Sequence, residues 1–478
     1  MKKLLLSIPI ALLFIHFVYQ SDGPNTWTQS LSGAGPVWSI AINPVNMQVM
    51  YAASNTTGIW KTTNGGLNWS QSNSGISNLV LNMVAVSTSN PSVVYCGGGS
   101  ATAANGMYKS TDAGATWTAI NTGITQTLNT VQSIAVNPTN PDNVLIAVWD
   151  GGTNNAVDGL YRTTNGGTSW SASNTGMGAN KNVLCVAINP RNPNTIYCGT
   201  SFLTPNPPGT GPTFVYKSLN NGTSWSSSSS GLPTAATDIN PIRYIDVSSQ
   251  DTSIVILGMF YNTTTTNAGV YFTSNGGANW IQRSTGLPSA QATLPRSVLI
   301  RPGTTNQFFC GIAGTGVGGV YRTTDAGLTW TNFTAAPLTN TGIYRQFAFR
   351  TAGSGDSTLF VVNSGTTAPA QGVFEYTFVP LGINDPNSGI PTAFNLSQNY
   401  PNPFNPVTMI EYSVPNTAFV TIKIYNAAGS EVKSLVAQNH SPGNYYVSFS
   451  AEGLSSGVYF YKMEAGDFTG VKKMILVK

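Results

Sequence analysis

The sequence is poor in the charged side chains on which most enzymes and nucleic-acid-binding proteins depend. Charged residues make up 8% of the 478 residues, about a third of the usual share. The net charge of +4 includes no basic run apart from Lys472 and Lys473, so binding to nucleic acid is not expected. The only histidines are His16 and His440. Their positions exclude histidine-dependent nucleophiles and histidine metal sites from residues 22–379, and the sequence predicts neither a metal nor a cofactor.

Long apolar runs are absent beyond the first residues of the chain. Lys2 and Lys3 precede the apolar stretch Leu4–Val18, which is shorter than the roughly 20 residues of a membrane span. Residues 1–21 are therefore predicted to be a secretory signal peptide. We expect the mature chain to lie outside the cytoplasm and to have no transmembrane segment.

Cysteine is also scarce, with four residues in the whole chain. Cys96, Cys198 and Cys310 stand at equivalent positions of a repeat in which other copies have alanine, so this position favours a small buried residue. Buried free thiols are the favoured interpretation. The alternative is a disulfide between Cys185 and Cys198, the only pair predicted to lie on neighbouring strands of one hairpin.

What the sequence does contain is a repeat. The motif [Ser/Thr]-x-[Asp/Asn]-x-Gly-x-x-Trp occurs six times, with its tryptophans 48 to 55 residues apart. Three strand-like segments precede each copy, and its Trp opens a fourth. Four short strands repeated in this way, with no helix between them, predict the blades of a β-propeller. The copies are Thr62–Trp69, Ser110–Trp117, Thr163–Trp170, Ser218–Trp225, Thr273–Trp280 and Thr323–Trp330.

The sequence predicts seven blades although it has six motifs. Residues 344–378 repeat the first three strands of a blade, but no motif and no fourth strand follow. The N-terminal segment Trp27–Gly33 closely matches the fourth-strand segment Trp69–Gly75. We therefore predict that residues 22–379 form a seven-bladed β-propeller. Its N-terminal strand would complete the last blade and remove an exposed sheet edge.

The motifs resemble the Asp-box repeats of sialidases, sortilin-type receptors, xyloglucan-cleaving enzymes and photosystem-assembly propellers. This resemblance covers residues 24–379 and implies a fold rather than an activity. The acidic or amide side chain is suited to accept hydrogen bonds from its own turn, and the glycine allows a positive φ. Because Asn replaces Asp in four copies, the motif is predicted to be structural at Asn64, Asp112, Asn165, Asn220, Asn275 and Asp325.

Composition changes after a Pro-, Gly- and Asn-rich linker at residues 380–392. The strand patterns of residues 393–478 predict a small immunoglobulin-like β-sandwich, so the whole chain is expected to be all-β. Its segments Leu396–Pro406, Ile424–Gly429, Leu454–Tyr461 and Lys472–Lys478 resemble the sorting domains (type A) of type IX secretion cargo. The resemblance implies that the type IX secretion machinery is a partner. It also implies that the protein is secreted or lies on the outer surface of a Gram-negative cell.

The sialidase resemblance does not extend to a sialidase active site. Glu375 is the only Glu within residues 22–379, and the first strand lacks the arginine segment of such enzymes. A glycoside hydrolase acting on polysaccharide would need two carboxylates, and Asp150, Asp158 and Asp238 are predicted to lie in loops on the ligand side. No xyloglucanase signature surrounds them. No catalytic residue is predicted, and this function is kept as the alternative.

One position of the repeat collects arginines. Two residues before the core Val, Ile or Phe of each first strand, the successive blades carry Trp38, Asn82, Gln132, Leu184, Arg243, Arg296 and Arg345. Because first strands converge at a propeller axis, the three arginines are predicted to surround an anionic or polar ligand.

Trp38 and Trp149 are predicted to flank that ligand. The alternative is that each Arg pairs with Asp246 or with carbonyls of the next blade. The sequence thus predicts a monomeric, non-catalytic binding protein for a polysaccharide, an anionic ligand or a surface protein.

Overall fold

The computed structural model describes most of the chain between residues 26 and 477. The described ranges are 26–99, 106–124, 130–149, 159–178, 181–201, 214–233, 241–260, 267–288, 294–314, 317–351, 357–365, 371–378, 391, 393–399, 402–405, 407–440, 442–451 and 453–477. No helix within these ranges could cross a membrane. The chain divides after Phe378 into two compact units, which are described separately. The predicted signal peptide, and the predicted linker apart from Pro391, lie outside the described ranges.

Seven four-stranded antiparallel sheets form the first unit, which confirms the predicted seven-bladed propeller. The first strands contact one another in a ring around the axis. Blades 1 to 3 contain β2 (Val37–Ile42), β3 (Met50–Ser54), β4 (Gly58–Thr62) and β5 (Ser70–Gln71); β6 (Leu81–Val86), β7 (Val94–Gly98), β8 (Met107–Ser110) and β9 (Thr118–Ala119); and β10 (Thr130–Val136), β11 (Val144–Trp149), β12 (Gly159–Thr163) and β13 (Ser171–Ala172).

Blades 4 to 6 follow the same order. They contain β14 (Val183–Ile188), β15 (Ile196–Thr200), β16 (Val215–Ser218) and β17 (Ser226–Ser227); β18 (Ile242–Val247), β19 (Val255–Met259), β20 (Gly269–Thr273) and β21 (Ile281–Gln282); and β22 (Leu294–Ile300), β23 (Phe308–Ala313), β24 (Gly319–Thr323) and β25 (Thr331–Asn332). Blade 7 contains β26 (Tyr344–Thr351), β27 (Ser357–Asn363), β28 (Gly372–Phe378) and the N-terminal strand β1 (Trp27–Leu31).

The second strand of each blade is buried on both faces because neighbouring blades pack against it on either side. Cys96, Cys198 and Cys310 lie on such strands and have no exposed surface, as predicted for a small buried residue. All four thiols are free. Cys198 is opposite Val186 in the sheet, whereas Cys185 is opposite Gly199. Adjacent strand residues point to opposite faces, so the two thiols belong to different core clusters and a disulfide between them does not form.

The N-terminal strand closes the ring in the predicted place. Strand β1 pairs antiparallel with β28, with Trp27 opposite Tyr376 and Thr28 opposite Glu375. Trp27 is 2% exposed, and its indole Nε1 donates to the carbonyl of Phe333 in blade 6 at 3.0 Å. The Trp of an Asp-box makes the same contact elsewhere, for example from Trp117 Nε1 to Ser72 O at 2.8 Å. Blade 7 has no Asp-box motif, and Trp27 makes the contact that the Trp of that motif makes in the other blades.

The Asp-box turns contain the predicted hydrogen bonds. In the third copy, Asn165 Oδ1 accepts the hydroxyl of Thr163 at 2.8 Å and the backbone N–H of Ser169 at 3.0 Å. Thr163 Oγ1 in turn accepts the N–H of Gly167, whose φ is +90°. The same bonds recur in the other five copies. Each motif therefore fixes one tight turn and aims one Trp at the preceding blade.

Two antiparallel sheets around one hydrophobic core form the second unit, which confirms the predicted β-sandwich. One sheet has the order β29-β30-β33 and the other β32-β31-β34-β35, the three-plus-four division of immunoglobulin-like domains. The strands are β29 (Asn395–Leu396), β30 (Val407–Val414), β31 (Ala418–Asn426), β32 (Glu431–His440), β33 (Gly443–Ser450), β34 (Gly457–Ala465) and β35 (Phe468–Leu476).

The first and last sequence signatures of this unit are held together by hydrogen bonds. Phe404 N donates to Ile475 O at 2.9 Å, and Val477 N donates to Phe404 O at 3.0 Å. Asn402 Oδ1 accepts the N–H of Ile475 at 2.9 Å. The segment before β30 therefore covers part of the free edge of the terminal strand, which would otherwise be open to pairing.

Candidate functional site

A β-bulge occurs in the first strand of every blade. The pairing register between first and second strands shifts once in each blade, between Val37 and Ser39 in blade 1 and between Ile242 and Tyr244 in blade 5. The five other blades have the same shift. The residue inside each shift belongs to the predicted row: Trp38, Asn82, Gln132, Leu184, Arg243, Arg296 and Arg345. A bulge redirects the side chain of its extra residue, so a seven-fold backbone irregularity positions this row.

Six of the seven row residues line one small cavity of about 40 Å³: Trp38, Gln132, Leu184, Arg243, Arg296 and Arg345. The guanidinium carbon of Arg345 lies 3.6 Å from the centre of the Trp38 ring, and its Nε donates to the Ser364 hydroxyl. The guanidinium carbons of Arg243 and Arg296 lie 5.5 Å and 4.4 Å from the ring centre of Phe260. Two aromatic rings thus hold the three arginines, which come together as predicted.

The positive charge of this arginine cavity is not balanced by the carboxylates that the structure describes. The Nε atoms of Arg243 and Arg296 are buried and have no hydrogen-bond partner. Burial, together with Arg243 and Arg345, lowers the pKa of Arg296 to about 9. Burial and Arg243 lower the pKa of Arg345 to about 10. Because a guanidinium otherwise holds its proton above pH 12, these shifts reflect chiefly the loss of hydration on burial and, second, the repulsion between neighbouring guanidinium groups.

The suggested pairing with Asp246 does not occur. Asp246 Oδ2 accepts the backbone N–H of Ile300 in blade 6 at 2.7 Å, and Oδ1 accepts the N–H of Val247 at 3.0 Å. No ion pair of the described residues includes Asp246. Burial raises its pKa to about 6. Asp246 lines a second cavity of about 260 Å³ along the first strands, which shares Met83, Gln132, Arg243 and Tyr244 with the arginine cavity.

The aromatic partners of the arginines differ in part from the prediction. Trp38 is present, but Arg345 covers one face of its ring. Trp149 ends β11 and is not among the described residues that line either cavity. The predicted loop carboxylates Asp150, Asp158 and Asp238 lie outside the described ranges.

Phe260 was missed by the sequence analysis, although an aligned position could have found it. It follows β19 of blade 5 directly, as Asn55 follows β3 of blade 1. Asn55 Nδ2 donates to Asn82 Oδ1 of the next blade at 2.6 Å, so this position contacts the neighbouring row residue. Trp149 stands at the same position of blade 3, where the row residue is Gln132 and that of the next blade is Leu184. Phe260 could therefore have been found as the aromatic residue at this position in a blade that carries an arginine in the row, whereas its being aromatic was not sufficient.

Two family models match separate parts of the chain. The model of the secretion system C-terminal sorting domain matches residues 398–478. The model of sortilin, neurotensin receptor 3, matches residues 57–202. No curated protein matches the sequence. The chain is an Asp-box propeller that carries a type IX sorting domain, and this domain directs it to the cell surface or the medium.

Solved structures with a similar fold have low sequence identity. The GH74 xyloglucanase from Xanthomonas campestris is 14% identical with a TM-score of 0.52; the match covers 82% of this chain and 60% of that one. YCF48 bound to D1 peptide is 15% identical with a TM-score of 0.50, covering 76% of this chain and 97% of that one. PorZ, a surface component of the type IX secretion system of Porphyromonas gingivalis, is 15% identical with a TM-score of 0.49. The match covers 99% of this chain and 61% of PorZ. This chain spans about 60% of the xyloglucanase, and the first two matches show the propeller fold alone.

Proposed function

We propose that the propeller is a non-catalytic binding protein that takes an anionic ligand in the arginine cavity. One observation carries the proposal: two buried guanidinium Nε atoms, in Arg243 and Arg296, have no hydrogen-bond partner. An unpaired buried charge is costly. Two such groups in adjacent blades, with Arg345 of the following blade beside them, are explained if a ligand supplies the missing negative charge.

The geometry favours a planar or tetrahedral oxyanion, such as a carboxylate or a sulfate. A guanidinium offers parallel N–H donors that match two oxygens at once. Phe260 and Trp38 orient these donors through cation–π contacts, so less side-chain entropy would be lost on binding. The adjoining cavity, with its polar residues Gln132 and Gln346, would accept an uncharged extension of the ligand. An acidic polysaccharide or a peptide carboxylate meets both requirements, and similar propellers act on xyloglucan or bind a peptide.

Asp246 supports the alternative function, extracellular glycoside hydrolysis. A carboxyl group with a raised pKa suits a general acid, and burial raises the pKa of Asp246 to about 6. The reaction needs a second carboxylate about 5 to 10 Å away. Asp246 is the only described carboxylate among the residues lining the two cavities. The second would have to be Asp150, Asp158 or Asp238.

Calorimetric titration of the mature chain with three probes would test the proposal. The probes are an oligogalacturonate, a sulfated oligosaccharide and an acidic peptide, each compared with an uncharged analogue. We expect saturable binding of at least one anionic probe and none of its analogue. Equal binding of charged and uncharged probes would refute it. Release of reducing ends from xyloglucan, abolished by Asp246→Asn, would establish the hydrolase instead.

A further inference from the structure

A cation of one blade binds the Asp-box turn of the next blade at four interfaces. In each case the acceptor is the carbonyl of a residue with a left-handed backbone: Gly65, Ala113, Gly276 or Ala326, with φ between +56° and +73°. The bonds run from Lys61 Nζ to Ala113 O at 2.8 Å, from Lys217 Nζ to Gly276 O at 2.7 Å, from Arg283 Nη1 to Ala326 O at 2.5 Å and from Arg350 Nη1 to Gly65 O at 3.1 Å.

Arg322 of blade 6 stands where Lys61 and Lys217 stand in blades 1 and 4, but it has no such partner. Like Lys61 and Lys217, it directly precedes the first residue of an Asp-box motif. It faces blade 7, which has no Asp-box. Its Nε is buried and makes no hydrogen bond. Its guanidinium carbon lies 5.6 Å from the Phe333 ring centre and 5.5 Å from that of Phe378.

A second arginine adds to the positive charge at this interface. The guanidinium carbon of Arg301 lies 5.1 Å and 5.0 Å from the ring centres of Phe349 and Phe378. Its donors are bound to the neutral oxygens of Gln307 and Ser357. Burial and the charge of Arg322 lower the pKa of Arg301. None of the ion pairs within the described ranges involves either arginine.

These residues form a surface that we name the closure patch: Arg301, Arg322, Phe333, Phe349 and Phe378. All five are partly exposed. It differs from the arginine cavity in its shape, because its cations and three phenylalanine rings are partly exposed rather than gathered around a small cavity. A polypeptide turn offers both an oxygen acceptor and apolar side chains, and four neighbouring interfaces already bind such a turn.

We propose that the closure patch docks an acidic turn of a partner protein, which presents a carbonyl or carboxylate oxygen to Arg322. The turn takes the place that an Asp-box of blade 7 would have filled. The aromatic rings then pack against its apolar side chains, and Arg301 attracts its negative charge. This interaction is independent of ligand binding in the arginine cavity.

A cyclised peptide with the sequence of Ser110–Trp117 provides a probe, because it carries an acidic Asp-box turn of the required kind. Its binding to the full mature chain is measured by fluorescence anisotropy. We expect saturable binding that Arg322→Gln weakens at least ten-fold. Arg162→Gln is the matched control, because Arg162 has the same position in blade 3 but faces a blade that has an Asp-box. It should leave the affinity unchanged.

Two results would overturn the proposal. The first is the absence of peptide binding by the wild-type chain. The second is an equal loss of affinity in Arg322→Gln and Arg162→Gln when both variants melt at the wild-type temperature. Retention of part of the affinity in Arg322→Lys would support the proposal, since lysine makes the equivalent contact in blades 1 and 4.

Discussion

The guanidinium of Arg345 in blade 7 lies 3.6 Å from the centre of the Trp38 ring in blade 1. Both are bulge residues of adjacent first strands, so the contact joins two neighbouring members of one row. A cation over an indole ring at this distance is a favourable electrostatic contact. Trp38 therefore orients the guanidinium of Arg345. Only the part of the Trp38 ring that Arg345 does not cover is left to contact a ligand.

Trp38→Leu should weaken anion binding without unfolding the propeller. A cation–π contact contributes about 0.5 to 2 kcal/mol, so we expect the dissociation constant to rise about two- to thirty-fold. Titration calorimetry measures this change. Trp60→Leu, which removes a Trp of the same blade that does not line the arginine cavity, is the control. If both variants lose affinity equally, the contact with Arg345 is not the cause.

Trp27→Ala should destabilise the propeller strongly. Trp27 is 2% exposed and bridges blade 7 to Phe333 of blade 6. Loss of a buried Trp lowers the free energy of unfolding by about 3 to 5 kcal/mol. If the N-terminal strand then detaches, the edge of β28 becomes exposed. Chemical denaturation should show an earlier midpoint, with aggregation on heating. A variant as stable as the wild type would mean that closure does not depend on this strand.

Asn165→Ala should lower stability and leave ligand binding intact. Asn165 Oδ1 accepts two hydrogen bonds in its turn, and each contributes about 0.5 to 1.5 kcal/mol net. Thermal melting and titration with the anionic probe measure the two effects separately. A lower affinity at an unchanged melting temperature would contradict the structural role of the Asp-box.

Asp246→Asn should change the pH dependence of stability. Burial raises the pKa of Asp246 to about 6 in the folded chain, against about 3.9 when unfolded. The folded state therefore binds the proton more tightly, and the free energy of unfolding falls as the pH rises from 4 to 6. The total change is about 3 kcal/mol.

The wild type should therefore gain stability relative to Asp246→Asn on acidification from pH 6.5 to 4. Denaturant midpoints measured at several pH values test this. Parallel curves for the two proteins would show that Asp246 does not titrate in this range.

The sequence predicted the ring of blades, its closure and the meeting of the arginines, because each depends on a repeated pattern. Trp27 could be aligned with Trp69, and Arg243 with Arg296 and Arg345, without knowledge of the fold. Phe260 was missed because its contact with Arg296 crosses from one blade to the next, and a single repeat does not reveal that neighbour. The sequence also did not predict that Arg322 Nε has no hydrogen-bond partner. This property depends on the neighbouring blade 7, which has no Asp-box turn to accept the bond.

Anion binding by the double variant Arg243→Ala/Arg296→Ala tests the central claim most directly. The anionic probe that binds the wild-type chain is titrated into both proteins at several salt concentrations. We predict that the wild type binds less tightly as salt increases. The double variant should bind undetectably while melting at or above the wild-type temperature, because two buried like charges are removed. Binding of equal strength in the two proteins, or binding that salt does not weaken, would contradict the assignment of the arginine cavity as the ligand site.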